Sequence, residues 1–161
     1  MTDIQANLTE ASNLLVESSD SALLDAEVIL CYVLDKPRSH LRAWPEKELS
    51  NDQQIQFLSL IKQRQQGTPV SYITGDREFW SRNFKVTSDV LIPRPDTELL
   101  IELSLDILAT KSKADIIDLG TGSGIIAITL AAERPEITVI ATDLSQQALD
   151  IAKQNATTHK T

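Results

Sequence analysis

The sequence predicts an α/β protein in two parts: a small N-terminal helical bundle, then a β-hairpin linker and the first half of a doubly wound parallel α/β domain. Three observations carry this. Over the first stretch, to about residue 70, apolar side chains recur at helical spacing. Between about Val70 and Ile92 the pattern changes to short apolar/polar alternation. From Asp115 onward two apolar runs alternate with two helical stretches, and a glycine-rich turn joins the first run to the helix after it. The boundaries implied are 1–70 for the bundle, 71–93 for the hairpin linker and 94–161 for the opening of the α/β domain.

The bundle contains three predicted helices. Thr2-Asp-Ile-Gln5 fits a capping box, after which Ile4, Leu8, Ala11, Leu14 and Leu15 fall at helical spacing. Ser21 is placed to cap a second helix, Ala22 to Leu34, with Pro37 just beyond its end. A third starts at Ser50, with Gln53 completing a second capping box, and stops at Gly67 before Pro69. Such a bundle more often recognises a partner or supports a neighbour than performs chemistry. Cys31, between Leu30 and Tyr32, reads as a small buried hydrophobe rather than a nucleophile.

After the bundle, Tyr72-Ile-Thr reads as extended, and Glu78-Phe-Trp and Phe84-Lys-Val-Thr alternate around a turn-like break at Ser81-Arg-Asn. Trp80 reads as core or domain interface. Ile92-Pro-Arg-Pro-Asp-Thr-Glu98 is stiffened by two prolines. Asp96 or Thr97 can then cap a helix from about Glu98 to Ala109. A stiff loop carrying Arg94 and Glu98 beside a ligand domain reads either as a wall of the site or as an ordinary linker. Next come strand 115–119, helix 123–133 ended by Pro135, strand 138–142 and helix 145–156. Two strands cannot complete an open α/β sheet, so the chain is expected to be the N-terminal part of a longer protein.

Bulk properties bound the function. The chain has 161 residues, 42% hydrophobic and 24% charged, with a net charge of −8. The acidic balance argues against broad phosphate-backbone binding, although Arg77, Arg82, Lys85 and Arg94 fall within one 18-residue stretch. Those four read as a solvated hairpin surface at least as well as a binding patch. No apolar run approaches the ~20 residues needed to span a bilayer, and the N-terminus lacks the pattern of a secretory signal. A single cysteine permits no internal disulfide, and a cytoplasmic protein is the simplest inference. His40 and His159 have no partner at metal-ligand spacing, so no metal is expected.

The chemistry-bearing segment is Ile116-Ile-Asp-Leu-Gly-Thr-Gly-Ser-Gly124. Glycines let the backbone turn sharply and approach a ligand closely, and the following helix presents free N–H groups. Asp143, 19 residues after Gly124, ends the second apolar run, where a carboxylate can accept two hydrogen bonds from ribose hydroxyls. A dinucleotide fingerprint counted from Gly120 would need its third glycine at position 125, which is Ile125. The pattern present, D-x-G-x-G-x-G, resembles motif I of the S-adenosylmethionine-dependent methyltransferases. A dinucleotide and a ligand-free glycine turn stand as alternatives. Asp118 either anchors the loop through N–H bonds or meets the cofactor's ammonium group.

Thr68-Pro-Val-Ser-Tyr-Ile-Thr-Gly-Asp-Arg-Glu-Phe-Trp80 and Leu91-Ile-Pro-Arg-Pro-Asp-Thr-Glu98, together with Asp118 to Gly124, closely resemble the release factor glutamine methyltransferases (the HemK/PrmC family). Asp25-Ala-Glu27 and the stretch Arg38, Leu41, Pro45, Glu46 resemble the helical domain of that family. The resemblance implies a helical docking domain joined by a hairpin to a Rossmann-like methyltransferase domain. It implies transfer of a methyl group to the side-chain amide nitrogen of the glutamine in a Gly-Gly-Gln loop of peptide chain release factors. S-adenosyl-L-methionine would be held by Asp118, Gly120, Thr121, Gly122, Ser123, Gly124 and Asp143, with Arg94 and Glu98 toward the substrate. The full-length form is expected to be a cytoplasmic monomer without direct nucleic-acid or membrane binding.

One departure limits this. The family's Asn-Pro-Pro-Tyr signature does not occur in the 161 residues, so no catalytic residue is assigned and no turnover is expected from this chain alone. An amide nitrogen is a poor nucleophile, and the family's site holds both its N–H groups with the Asn side chain and a Pro carbonyl. A nucleic-acid amino-methyltransferase and a non-catalytic binding module are the rival readings.

Overall fold

The computed structural model describes residues 3–161, which divide into two compact units at Thr74/Gly75. The first is all helical: α1 (Ile4–Leu15), α2 (Ala22–Leu34), α3 (Arg38–Ala43), α4 (Asn51–Gln65) and α5 (Val70–Thr74). α1, α2 and α4 pack on one another around a core that includes Ile4, Leu8, Leu15, Ile29, Leu30, Phe57 and Ile61. With Ala11 on α1 and Ala26 on α2, which lie in the same core, the positions recur at intervals of three and four, so each helix turns one apolar stripe inward.

The caps differ in part from expectation. Thr2 lies outside the described residues, and the N-cap of α1 is Asp3, whose carboxylate accepts the Ala6 N–H at 2.7 Å. Gln5 therefore sits in the first turn and donates to Thr9 Oγ1 instead of completing a box. Ser21 holds the N-cap position of α2, but its hydroxyl donates to Asp25 and caps no backbone group. The box of Ser50 and Gln53 forms as expected, with bonds of 3.2 and 2.9 Å. α3 and α5 went unanticipated because five or six residues show too little periodicity. Tyr72-Ile-Thr is helical, not extended. Pro69 starts the turn by accepting the Tyr72 and Ile73 N–H groups, and burial of Ile73 in the bundle core holds it.

Asp25 organises the polar side of this unit. Its carboxylate accepts from Ser19, Ser21 and Arg64, the last at 2.7 Å. Burial pushes its pKa up, but the bonds from Ser19, Arg64 and Ser21 and the Arg64 charge outweigh it and hold the group below the usual carboxylate range. Glu27 pairs with Arg38. Cys31 is half-buried against the core, and its thiol pKa is raised by burial and then by the Glu27 charge.

The second unit opens with the hairpin β1 (Asp76–Phe79) and β2 (Arg82–Lys85), paired antiparallel. The two-residue turn is Trp80-Ser81, both with positive φ (51° and 55°), so Trp80 belongs to the turn rather than to a strand. α6 (Asp96–Leu108) follows, then β3 (Asp115–Leu119), α7 (Ile125–Glu133), β4 (Thr138–Thr142) and α8 (Gln146–His159). α6 starts one or two residues earlier than expected, with Pro95 at the N-cap. Neither Asp96 nor Thr97 caps it, because Asp96 is already its first residue.

β3 and β4 pair in parallel, with Ile116 opposite Val139 and Ile117 opposite Ile140. Ile116 and Val139 face a core made by Phe79, Phe84, Ile101, Ile125, Ile128 and Leu130. Strand alternation turns Ile117, Leu119 and Ile140 the other way, where all three are exposed. The β–α–β–α order and parallel pairing are half of a Rossmann-like sheet.

Candidate cofactor site

The glycine loop lies at the carboxyl ends of β3 and β4, where open α/β sheets place ligands. Four ties hold it. The N–H groups of Gly120 and Thr121 both donate to the Thr142 carbonyl, at 2.8 and 2.9 Å. The Gly122 N–H donates to Asp143 Oδ2 at 2.9 Å. The Thr121 hydroxyl donates to Asp118 Oδ2 at 2.7 Å. The Ser123 carbonyl accepts from Asn155 Nδ2 at 2.8 Å.

The glycines are there for different reasons. Gly120, Gly122 and Gly124 have φ of 78°, 57° and 83°, a left-handed region that strains any other side chain. At Gly120 and Gly122 open space lies where a Cβ would stand, which leaves the loop backbone approachable by a ligand. At Gly124 a Cβ would come within 2.8 Å of Ile128 Cδ1 and 3.2 Å of Ala152 Cβ, so close packing between α7 and α8 adds to the left-handed φ in favouring glycine here. Among the described residues no side chain caps α7.

Beside the loop, Leu119, Gly120, Thr142, Asp143 and Leu144 line a cleft of about 470 Å³. Both oxygens of Asp143 are engaged, Oδ2 by Gly122 and Oδ1 by the Ser145 N–H at 2.9 Å. The Ser145, Gly122 and Leu144 N–H groups hold this carboxyl below its usual pKa, against a smaller opposing effect of burial. Asp143 therefore ties loop to strand as well as facing the cleft. Each of its oxygens keeps a further lone pair, so acceptance of ribose hydroxyls stays open to it. Asp118 anchors the loop through the Thr121 hydroxyl, while the loop's N–H groups go to Thr142 and Asp143.

Arg94 and Glu98 do not come together as an ion pair among the described residues. Arg94 is exposed in the proline-stiffened loop. Glu98 Oε1 accepts the Trp80 N–H at 3.2 Å and lines a separate cleft with Trp80, Ser81, Arg82 and Glu133. Two basic residues of the hairpin have partners of their own: Arg82 pairs with Glu133 at 2.8 Å, and Lys85 Nζ donates to Gln154 at 2.7 Å. His159 Nε2 lies 2.9 Å from the Asn83 carbonyl, and the His40 ring packs on Trp44. Among the described residues no group of three or more His, Cys, Asp or Glu could hold a metal, and no helix is long and apolar enough to cross a membrane.

Sequence reasoning passed over Asn155. It is buried on α8 among Ala148, Ile151 and Ala152, and bonds both the Lys85 backbone and the Ser123 carbonyl. The available signal was a polar residue on the apolar stripe, since 148, 151, 152 and 155 share one helix face.

Comparison with known proteins fits this geometry. Residues 6–75 match the family model of the PrmC N-terminal domain, and residues 96–161 match that of the methyltransferase small domain. A helical domain followed by a methyltransferase fold is thus the class of protein that the fold and loop define. The release factor glutamine methyltransferase of Aliivibrio fischeri is 50% identical over 144 residues, 89% of this chain and 50% of the relative. That of Coxiella burnetii is 48% identical over 160 residues, 99% of this chain and 58% of the relative. That of Vibrio cholerae is 48% identical over 155 residues, 96% and 54%. Over most of its length the chain is similar to release factor glutamine methyltransferases, and it spans about half the length of the curated relatives it matches.

Proposed function

We propose that the protein these residues belong to is an S-adenosyl-L-methionine-dependent methyltransferase acting on the side-chain amide nitrogen of the Gly-Gly-Gln glutamine in peptide chain release factors. The observation that carries this is the glycine loop: positive φ at three glycines, open space at two of them, and a cleft floored by Asp143. These features fit a ligand with a ribose and an amino-acid part, and there is no pyrophosphate cradle of the dinucleotide spacing. The names of the relatives support the choice of substrate. When bound, the cofactor supplies an electrophilic methyl group on a sulfonium.

This chain's own residues bind and orient. Gly120 to Gly124 offer backbone N–H groups and close approach, Asp143 keeps free lone pairs for hydroxyls, and Leu119 and Leu144 give the cleft an apolar rim. Asp118 supports the loop through Thr121. Arg94 and Glu98 are assigned to the substrate side of the site. The helical unit, 1–70 with the hairpin of 71–93 after it, is assigned to docking of the release factor. With a net charge of −8, recognition of the release factor as protein is favoured over an oligonucleotide. A monomeric cytoplasmic enzyme is the matching cellular form.

The test uses the protein in its full length and the 161-residue chain side by side, with labelled S-adenosylmethionine and a purified release factor. Full-length protein is expected to label the Gly-Gly-Gln glutamine and not a Gly-Gly-Ala variant. The 161-residue chain is expected to bind the cofactor without transfer. Labelling of an oligonucleotide instead, or none of the release factor, overturns the substrate assignment.

A further inference from the structure

Asn155 is among the best-bonded buried side chains of the second unit. Its carbonyl oxygen accepts the Lys85 N–H at 2.8 Å. Its amide group donates to the Lys85 carbonyl at 3.0 Å and to the Ser123 carbonyl at 2.8 Å. Both donors and the acceptor are thereby used. Toward β2 the side chain behaves as one peptide unit of a neighbouring strand: it gives and takes one bond at a single residue. Strand alternation explains the access. The Val86 N–H donates to Gly75 across the hairpin, so the Lys85 N–H points to the opposite edge, where α8 lies.

The other three ties of the glycine loop all lead back into β3 and β4 through Asp118, Thr142 and Asp143. Among the described residues, only the bond from Asn155 leads elsewhere, through α8 to the hairpin. The bond set needs an amide, with one acceptor and two donors, at this reach. Aspartate would set a carboxylate against two carbonyl oxygens, and leucine fills the volume without any bond.

We propose that Asn155 is a positioning residue that couples β2 to the cofactor loop, so that the order of the hairpin at Lys85 sets the order of the loop at Ser123. This rests on the reading of that loop as the S-adenosylmethionine site. Its consequence is that a change in the hairpin, remote from the cleft, alters cofactor affinity.

Two variants cut the coupling at opposite ends. Asn155→Leu removes all three bonds and keeps an apolar-sized side chain. Lys85→Pro removes the N–H that Asn155 accepts, at an edge position where proline takes nothing from the hairpin ladder. Gln154→Ala, which removes only the bond from Lys85 Nζ, is the control. Affinity for S-adenosylmethionine is measured by calorimetry and amide hydrogen exchange by mass spectrometry, in the full chain. Asn155→Leu is expected to weaken binding about tenfold, the scale of one or two hydrogen bonds. Lys85→Pro should weaken it several-fold, Gln154→Ala not at all, and the double variant no more than Asn155→Leu alone.

Without cofactor, exchange at 120–124 should rise in Lys85→Pro, although residue 85 lies outside the loop. Wild-type affinity in Asn155→Leu, losses that multiply in the double variant, or unchanged loop exchange in Lys85→Pro overturns the coupling. If the wild-type chain binds no S-adenosylmethionine, the cofactor reading fails, and the exchange measurement still decides the coupling.

Discussion

The two units solve the burial problem differently. In the helical unit each of the three longer helices presents one stripe, and three stripes close a core in which Ile4, Leu15, Ile29, Leu30, Phe57 and Ile61 are at most 1% exposed. In the α/β unit one face of the two-stranded sheet is packed, while the other leaves Ile117 at 62% and Leu119 at 78% exposure. α6 likewise carries exposed Leu99, Leu100, Leu103 and Ile107 opposite its buried Ile101 and Leu108. A helix needs one neighbour for one stripe, whereas a parallel sheet needs cover on both faces. The lesson is that the same degree of local order coexists with very different degrees of closure. Substitutions of apolar residues should therefore cost much in one unit and little on the open face of the other.

Four changes break or sharpen this contrast, beginning with the largest. Phe57→Ala empties the centre of the bundle and is expected to cost about 3–5 kcal/mol, read as a lowered denaturant midpoint of the helical signal. A cost under about 1 kcal/mol would mean that the bundle is not the closed unit described here. Gly124→Ala combines positive φ with contacts of 2.8 and 3.2 Å, and should destabilise the second unit by about 2–4 kcal/mol. It should also abolish S-adenosylmethionine binding in calorimetry, and wild-type binding would contradict the packing role assigned to this glycine.

Acidification comes next. Asp143 has its folded pKa below its unfolded value, so its contribution is fully present above the ordinary carboxylate pKa. It is lost as pH falls through the lowered folded value. Exchange of the Gly122 and Ser145 amides, extrapolated from acid to neutral conditions, should rise in that window in wild type. Asp143→Asn should show no such step. Ile117→Thr in the 161-residue chain is the smallest change: the residue faces outward on a strand there, and its loss should shift stability by less than about 0.5 kcal/mol while reducing any self-association of that chain in sedimentation. A shift of several kcal/mol would show that the face is covered.

Legibility varied with the range of the interaction. The parallel strands Asp115–Leu119 and Thr138–Thr142 matched their apolar runs, and the Ser50–Gln53 box matched its spacing, because both are local signals. α3 and α5 escaped because their helicity depends on burial of Leu41 and Ile73, which lies in no short-range pattern. Trp80 read as strand because aromatic residues favour strands. Register instead puts it in the turn, where Glu98, 18 residues on, receives its N–H. The loop glycines could be read as a ligand loop, whereas the duty of Gly124 in packing and of Asp143 in tying the loop could not.

The residues alone determined the class of the protein: periodicity set the order of the longer helices and of the two parallel strands, and the glycine spacing with an acidic residue after the next strand pointed to a ligand loop. Tertiary structure alone decided which side chains hold that loop in place. Asp118, Asp143 and Asn155 reach it from 3, 21 and 32 residues away. A hydrogen bond is specified by distance and direction in space, and for the last two those arise only once α8 and the parallel strands have packed.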